Sequence, residues 1–117
     1  MKNEVARGGY AMNLRIYPVV LTLVRVAGAR VGSLRARSFA LGDQFERALI
    51  SVPLNVAEGA YSRGRNRQAR YQSAAASARE ALACLETARA LGWVGEVEPE
   101  MLRLFQQVIG TLVRLSR

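Results

Sequence analysis

From residue 13 onward, apolar side chains recur every third or fourth position in four stretches separated by glycine-bearing breaks, with no alternating run to mark a strand. The first stretch, 13–31, carries Leu14, Tyr17, Leu21, Val24, Gly28 and Val31 as one stripe. Ile16, Val19, Val20, Leu23 and Val26 widen it until little polar surface remains, so this helix needs covering on more than one side. Pro18 fits its first turn, where a missing N–H costs least. After a break containing Gly32 and Gly42, the second stretch runs over 43–60 with Asp43 as its expected N-cap. It has two apolar stripes: Phe45, Leu49, Val52 and Val56 make one, and Ile50, Leu54, Ala57 and Tyr61 the other.

The third stretch, 66–91, shows a 4, 3, 4, 3 spacing through Tyr71, Ala75, Ala78, Leu82 and Leu85 and ends at Gly92, a suitable C-cap glycine. Its alanines allow close helix approach. The fourth, 99–115, opens at Pro99 with Glu98 and Glu100 set against the helix dipole. It carries Met101, Leu102, Phe105, Val108, Ile109, Leu112 and Leu115. Long amphipathic helices on short connections predict an all-α, up-down-up-down antiparallel four-helix bundle, formed as one domain from residues 1–117.

Pro53 interrupts this pattern. Inside a helix it removes the bond to the carbonyl of Leu49 and costs about 3 kcal/mol unless the bend is used. The preferred reading is one kinked helix, with Ser51 or Asn55 satisfying the freed carbonyl. The alternative is a helix that stops at Val52 and restarts at Pro53.

Charge changes the picture more than composition does. The net charge is +8, and sixteen of the seventeen basic residues are Arg, the side chain best suited to bidentate phosphate contact. No acid occurs between Val5 and Gly42, and residues 59–79 hold five arginines and none. In an up-down bundle, one end collects Lys2, Arg7, Arg15, Arg63, Arg65, Arg67, Arg70, Arg114 and Arg117 against only Glu4 and Glu58. The opposite end mixes Arg30, Arg35 and Arg37 with Asp43, Glu46, Glu96, Glu98 and Glu100. Arg67 and Arg70 lie in the first turns of the third helix, where cations are unfavourable, which suggests an anion to meet them. The expected nucleic-acid-binding residues are therefore Arg63, Arg65, Arg67, Arg70, Arg7, Arg114 and Arg117. Tyr61 and Tyr71 flank the cluster, but both also fit apolar stripes, so phosphate contact of low sequence specificity is the sharper expectation.

The absence of histidine removes the commonest general base and metal ligand, and one cysteine, Cys84, allows no internal disulfide. No metal or cofactor is expected, and an enzyme is not. A cytoplasmic protein that neither spans nor binds a membrane is the expectation, since the uncharged apolar run 16–24 falls far short of the about 20 residues that cross a bilayer. The polar stripe Gln44, Arg47, Ser51, Asn55 and Glu58 lacks a base poised near neutrality, so a structural role at the joint between the second and third helices is expected. Glu58 then pairs with Arg47 or an arginine of another helix, and Glu80 plays a similar part.

The runs "QFERALISVPLNVAEGAYSRG" and "SAREALACLETARALGWV" resemble the four-helix-bundle proteins of the 23S ribosomal RNA intervening-sequence family. The matching residues are Gln44, Arg47, Ala48, Ser51, Val52, Pro53, Asn55, Val56, Ala57, Glu58 and Gly59, then Ser77, Glu80, Leu91, Gly92 and Trp93. The resemblance implies a helical bundle assembled as a ring-like homopentamer. It extends to the accessory variability determinant of diversity-generating retroelements, a basic pentamer that binds a reverse transcriptase and its RNA. The resulting expectation is a non-enzymatic basic scaffold for RNA first and DNA second, with a reverse transcriptase as candidate protein partner. The rival is a protein adaptor that binds no nucleic acid.

Overall fold

The computed structural model describes residues 15–117. Five helices and no strand occur among them: α1 (Ile16–Gly28), α2 (Val31–Arg37), α3 (Phe39–Tyr61), α4 (Gly64–Ala90) and α5 (Pro99–Leu115). The first expected helix thus ends early. Its chain turns at Ala29 and Arg30, immediately after Gly28, a residue of low helix propensity, and resumes as the short α2.

The second expected helix begins four residues before Asp43. Ser38 is extended, and its hydroxyl accepts from the Leu41 backbone N–H at 3.2 Å, so Ser38 is the N-cap. Asp43 instead lies inside the helix and pairs with Arg47 at 3.5 Å. Gly42 is no breaker: a Cβ there would lie 2.7 Å from the Arg35 backbone nitrogen. Its bare backbone lets α2 and α3 meet at a sharp corner. Arg35 tightens that corner by pairing with Glu46 and by placing its guanidinium 5.6 Å from the centre of the Phe39 ring.

Helix α3 runs unbroken through Pro53, which excludes the split reading. The local compensation differs from the expected one. Asn55 Nδ2 donates to the Ser51 carbonyl and to Ser51 Oγ, both at 2.9 Å, rather than to the carbonyl of Leu49.

Helix α4 ends in a Schellman motif around Gly92, whose φ of +76° suits glycine. Gly92 N–H donates to the Arg89 carbonyl and Trp93 N–H to that of Ala88, each at 2.9 Å. Trp93 is thereby turned back onto the core.

The helices form a bundle in which α1 packs against α3 and α5, and α4 against the same two. The α3–α4 pairing is the most extensive, and alanines at 74, 78, 81 and 88 with no exposed surface let it close. Phe45, Leu49, Val52 and Val56 of α3 meet Tyr71, Ala75, Ala78 and Leu85 of α4 in a core completed by Met101, Phe105, Val108 and Leu112 of α5. From α1, the buried residues are Ile16, Val20, Leu23 and Ala27. Most of the stripe through Leu14, Tyr17, Leu21 and Val24 is not the buried face: Leu21 is exposed, Tyr17 and Val24 are partly covered, and Leu14 lies outside the described residues. A helix apolar on nearly all sides gives its period little power to choose a face. The second stripe of α3 also faces outward, with Ile50, Leu54 and Tyr61 48%, 61% and 70% exposed.

Candidate nucleic-acid interface

The polar stripe of α3 meets α4 in a ladder of contacts. Gln44 Nε2 donates to Glu80 Oε2 at 2.9 Å, Ser77 Oγ donates to Ser51 Oγ at 2.8 Å, and Arg70 pairs with Glu58 at 3.7 Å. Each step up α3 is a step down α4, so the two helices are antiparallel. Glu58 therefore takes the arginine of another helix rather than Arg47. An open cleft of about 530 Å³ lies along the seam, lined by Asp43, Gln44, Arg47, Ser51, Ser77 and Glu80.

Gly59 closes the ladder. A Cβ there would lie 2.6 Å from Cε1 of Tyr71, whose ring seats directly on the glycine. Burial raises the Tyr71 pKa above the ordinary 10.0, with Arg67 opposing the shift. Burial and then Glu80 likewise raise that of Cys84, which suits an inert thiol rather than a nucleophile. Among the described residues no three His, Cys, Asp or Glu side chains converge on a point that could hold a metal ion.

Just past Gly59 the chain turns from α3 into α4 through Ser62 and Arg63, and Gly64 adopts a φ of +54°. The four arginines of this corner differ in role. Arg67 is partly buried, and its Nε donates to the carbonyls of Gly59 at 3.2 Å and Ser62 at 2.9 Å. The negative end of α3 thus supplies what the start of α4 withholds, and Arg67 needs no external anion to explain its place. Arg70 has Glu58, an exposed pair worth about 0–1 kcal/mol. Arg63 and Arg65 are exposed and have no carboxylate partner among the described residues.

The end of α5 joins this corner. Gln68 Nε2 donates to the Arg117 carbonyl at 3.1 Å, which brings exposed Arg117 beside the first turns of α4. Arg114, one turn earlier, reaches Thr111 Oγ1 at 3.2 Å. At the other end of the bundle, Arg30 pairs with Glu98, so α1 ends where α5 begins, and Arg15, at the start of α1, lies toward the Arg114 end. The structure therefore gathers Arg63, Arg65, Arg67, Arg70, Arg114 and Arg117 at one pole, while Arg7 lies outside the described residues.

Sequence reasoning missed the inward use of Arg67, because its acceptors are carbonyls that become visible only when α3 and α4 are folded together. It also left Tyr61 and Tyr71 as equals. In the structure Tyr71 is core and Tyr61 is surface.

No curated protein and no solved structure matches the chain. The family model of the 23S rRNA-intervening sequence protein matches residues 24–113, which include all of α2, α3 and α4, with Arg63, Arg65, Arg67 and Arg70. With that match covering most of its length, the chain belongs to the 23S rRNA-intervening sequence protein family.

Proposed function

We propose that this protein is a non-enzymatic, basic oligomeric scaffold that binds RNA through the pole formed by the α3–α4 corner and the end of α5. One observation carries the reading: Arg63, Arg65 and Arg117 are exposed with no carboxylate partner among the described residues, while most arginines at the opposite pole are paired. Cations without internal partners are free to neutralise phosphates. The family name, which points to ribosomal RNA, is consistent with such a ligand.

The assembly is an up-down four-helix core, with α2 as a connecting turn, closed into a ring of about five subunits. Ile50 and Leu54, apolar yet exposed on α3, supply surface for subunit contact. In this reading the protein works in the cytoplasm, takes DNA less readily than RNA, and partners a reverse transcriptase where its gene accompanies a diversity-generating retroelement.

The test is RNA binding by a variant carrying Arg63→Gln, Arg65→Gln, Arg114→Gln and Arg117→Gln, which spares the structural Arg67. Binding weakens and its salt dependence flattens, while helicity and oligomer mass stay unchanged. The second reading, a protein adaptor, is favoured by the same exposed α3 stripe. It prevails if neither the parent nor the quadruple variant binds RNA, whereas equal binding by the two removes the pole from the RNA site.

A further inference from the structure

We infer that Tyr61 is a base-stacking platform that directs the basic pole toward single-stranded RNA, an inference that rests on the RNA reading of that pole. In the sequence Tyr61 and Tyr71 flank the arginines alike. The fold separates them: Tyr71 is 1% exposed beneath Gly59, whereas Tyr61 is 70% exposed as the last residue of α3. This largely exposed aromatic residue lies two positions before Arg63 and four before Arg65 in the chain, both of them exposed cations.

The backbone that carries the ring is held from several sides. Ser62 N–H donates to the Gly59 carbonyl at 3.1 Å, and Ser62 Oγ to that of Glu58 at 2.8 Å. Arg67 Nε ties the carbonyls of Gly59 and Ser62 to α4. Arg67 is thus a positioning residue that fixes where Tyr61 and Arg63 stand relative to each other. A platform held in place costs little ordering on binding.

The ligand chemistry follows from this pairing. In a duplex both faces of each base are occupied by neighbours, so a surface tyrosine has nothing to stack on. A single strand offers unpaired bases together with phosphates, and one ring beside two arginines can meet both. Tyr61 does share its stripe with Ile50 and Leu54, but those residues lie farther down α3, beside the Arg47, Glu58 and Arg70 side chains. Tyr61 stands at the end where the neighbouring exposed charges, Arg63 and Arg65, are both positive.

The experiment measures fluorescence anisotropy of a labelled twelve-nucleotide single-stranded RNA and of a twelve-base-pair RNA duplex, across a salt series. The proteins are the wild type, Tyr61→Ala, Tyr61→Leu and Tyr61→Phe, each with its mass measured by light scattering. Stacking on one ring predicts that Tyr61→Ala and Tyr61→Leu lose about fivefold or more in single-strand affinity. Tyr61→Phe stays within about twofold, duplex affinity is unchanged within about twofold, and the salt slope is the same in every variant, because phosphate contacts are untouched. Equal losses on duplex and single strand, full affinity in Tyr61→Leu, or a changed oligomer mass in Tyr61→Ala would each overturn the inference, the last assigning Tyr61 to assembly. Wild-type, salt-dependent binding with an unaffected Tyr61→Ala defeats the stacking role alone. No binding by the wild type defeats the RNA reading with it.

Discussion

The two poles of the bundle use the same side chain for opposite ends. At the pole where α1 meets α5 and α2 meets α3, Arg30 pairs with Glu98, Arg35 with Glu46, and Arg89 with Glu96 at 2.6 Å. Those arginines join elements. At the α3–α4 corner only Arg67 is committed to the fold, through carbonyls, and Arg70 has one loose partner at 3.7 Å. Arg63 and Arg65 join nothing among the described residues. Net charge alone would treat all sixteen arginines as one population, yet what distinguishes them is whether a carboxylate or carbonyl stands within reach. A basic protein can therefore hold its shape with part of its charge and present another part.

Glycine substitutions break the two corners most severely. Gly42→Ala sets a methyl 2.7 Å from the Arg35 backbone, which cannot rotate away, and Gly59→Ala sets one 2.6 Å from the Tyr71 ring. Overpacking of this kind costs about 1–3 kcal/mol, against about 1 kcal/mol gained in helix propensity. Thermal unfolding should show both variants destabilised, Gly42→Ala more, because an aromatic ring can tilt and a backbone cannot. Next in size is Arg67→Ala, which strips a cationic donor from two carbonyls and costs about 1–2 kcal/mol by chemical denaturation. Arg63→Ala, measured the same way, should stay within about 0.5 kcal/mol.

The paired pole yields a smaller, salt-sensitive effect. Arg89→Gln should lose up to about 1 kcal/mol at low salt and less as salt rises, since its pair with Glu96 is exposed. The smallest effect concerns Tyr71, whose hydroxyl is buried and accepts or donates no hydrogen bond among the described residues. Tyr71→Phe should be neutral or slightly stabilising. The folded pKa of Tyr71 lies above 10.0, so the unfolded chain loses this proton first as pH rises. Stability is then fully present below pH 10 and declines above it, and Tyr71→Phe removes that share of the decline in denaturation curves recorded across the alkaline range.

Much of this arrangement was legible in the chain. Phe45, Leu49, Val52 and Val56, and Tyr71, Ala75, Ala78 and Leu85, lie in the core as their helical periods indicate. Pro99 and Gly92 mark helix ends by rules that need no tertiary context. The misreadings share one cause: the residue answers to a contact made across a helix boundary. Gly42 reads as a breaker in the sequence, yet it is the close approach of Arg35 that requires it, and Asp43 reads as a cap although Ser38 fills that role upstream. Arg67 looked like an anion ligand because the carbonyls of α3 that receive it are set by the turn. In α1, where apolar residues cover nearly every side, no period could separate Leu21 outside from Val20 and Leu23 inside.

The difference between the poles is tested most directly by removing two charges from each and comparing RNA affinity across a salt series. One variant carries Arg63→Gln and Arg65→Gln, the other Arg30→Gln and Arg89→Gln, so their net charges are equal. If the arginines at the α3–α4 corner contact phosphate, the slope of log affinity against log salt flattens by about 1.4 or more for a single strand in the first variant, and stays at the wild-type value in the second. Equal flattening in both would mean that RNA responds only to the total charge, and the distinction between a joining pole and a presenting pole would fail.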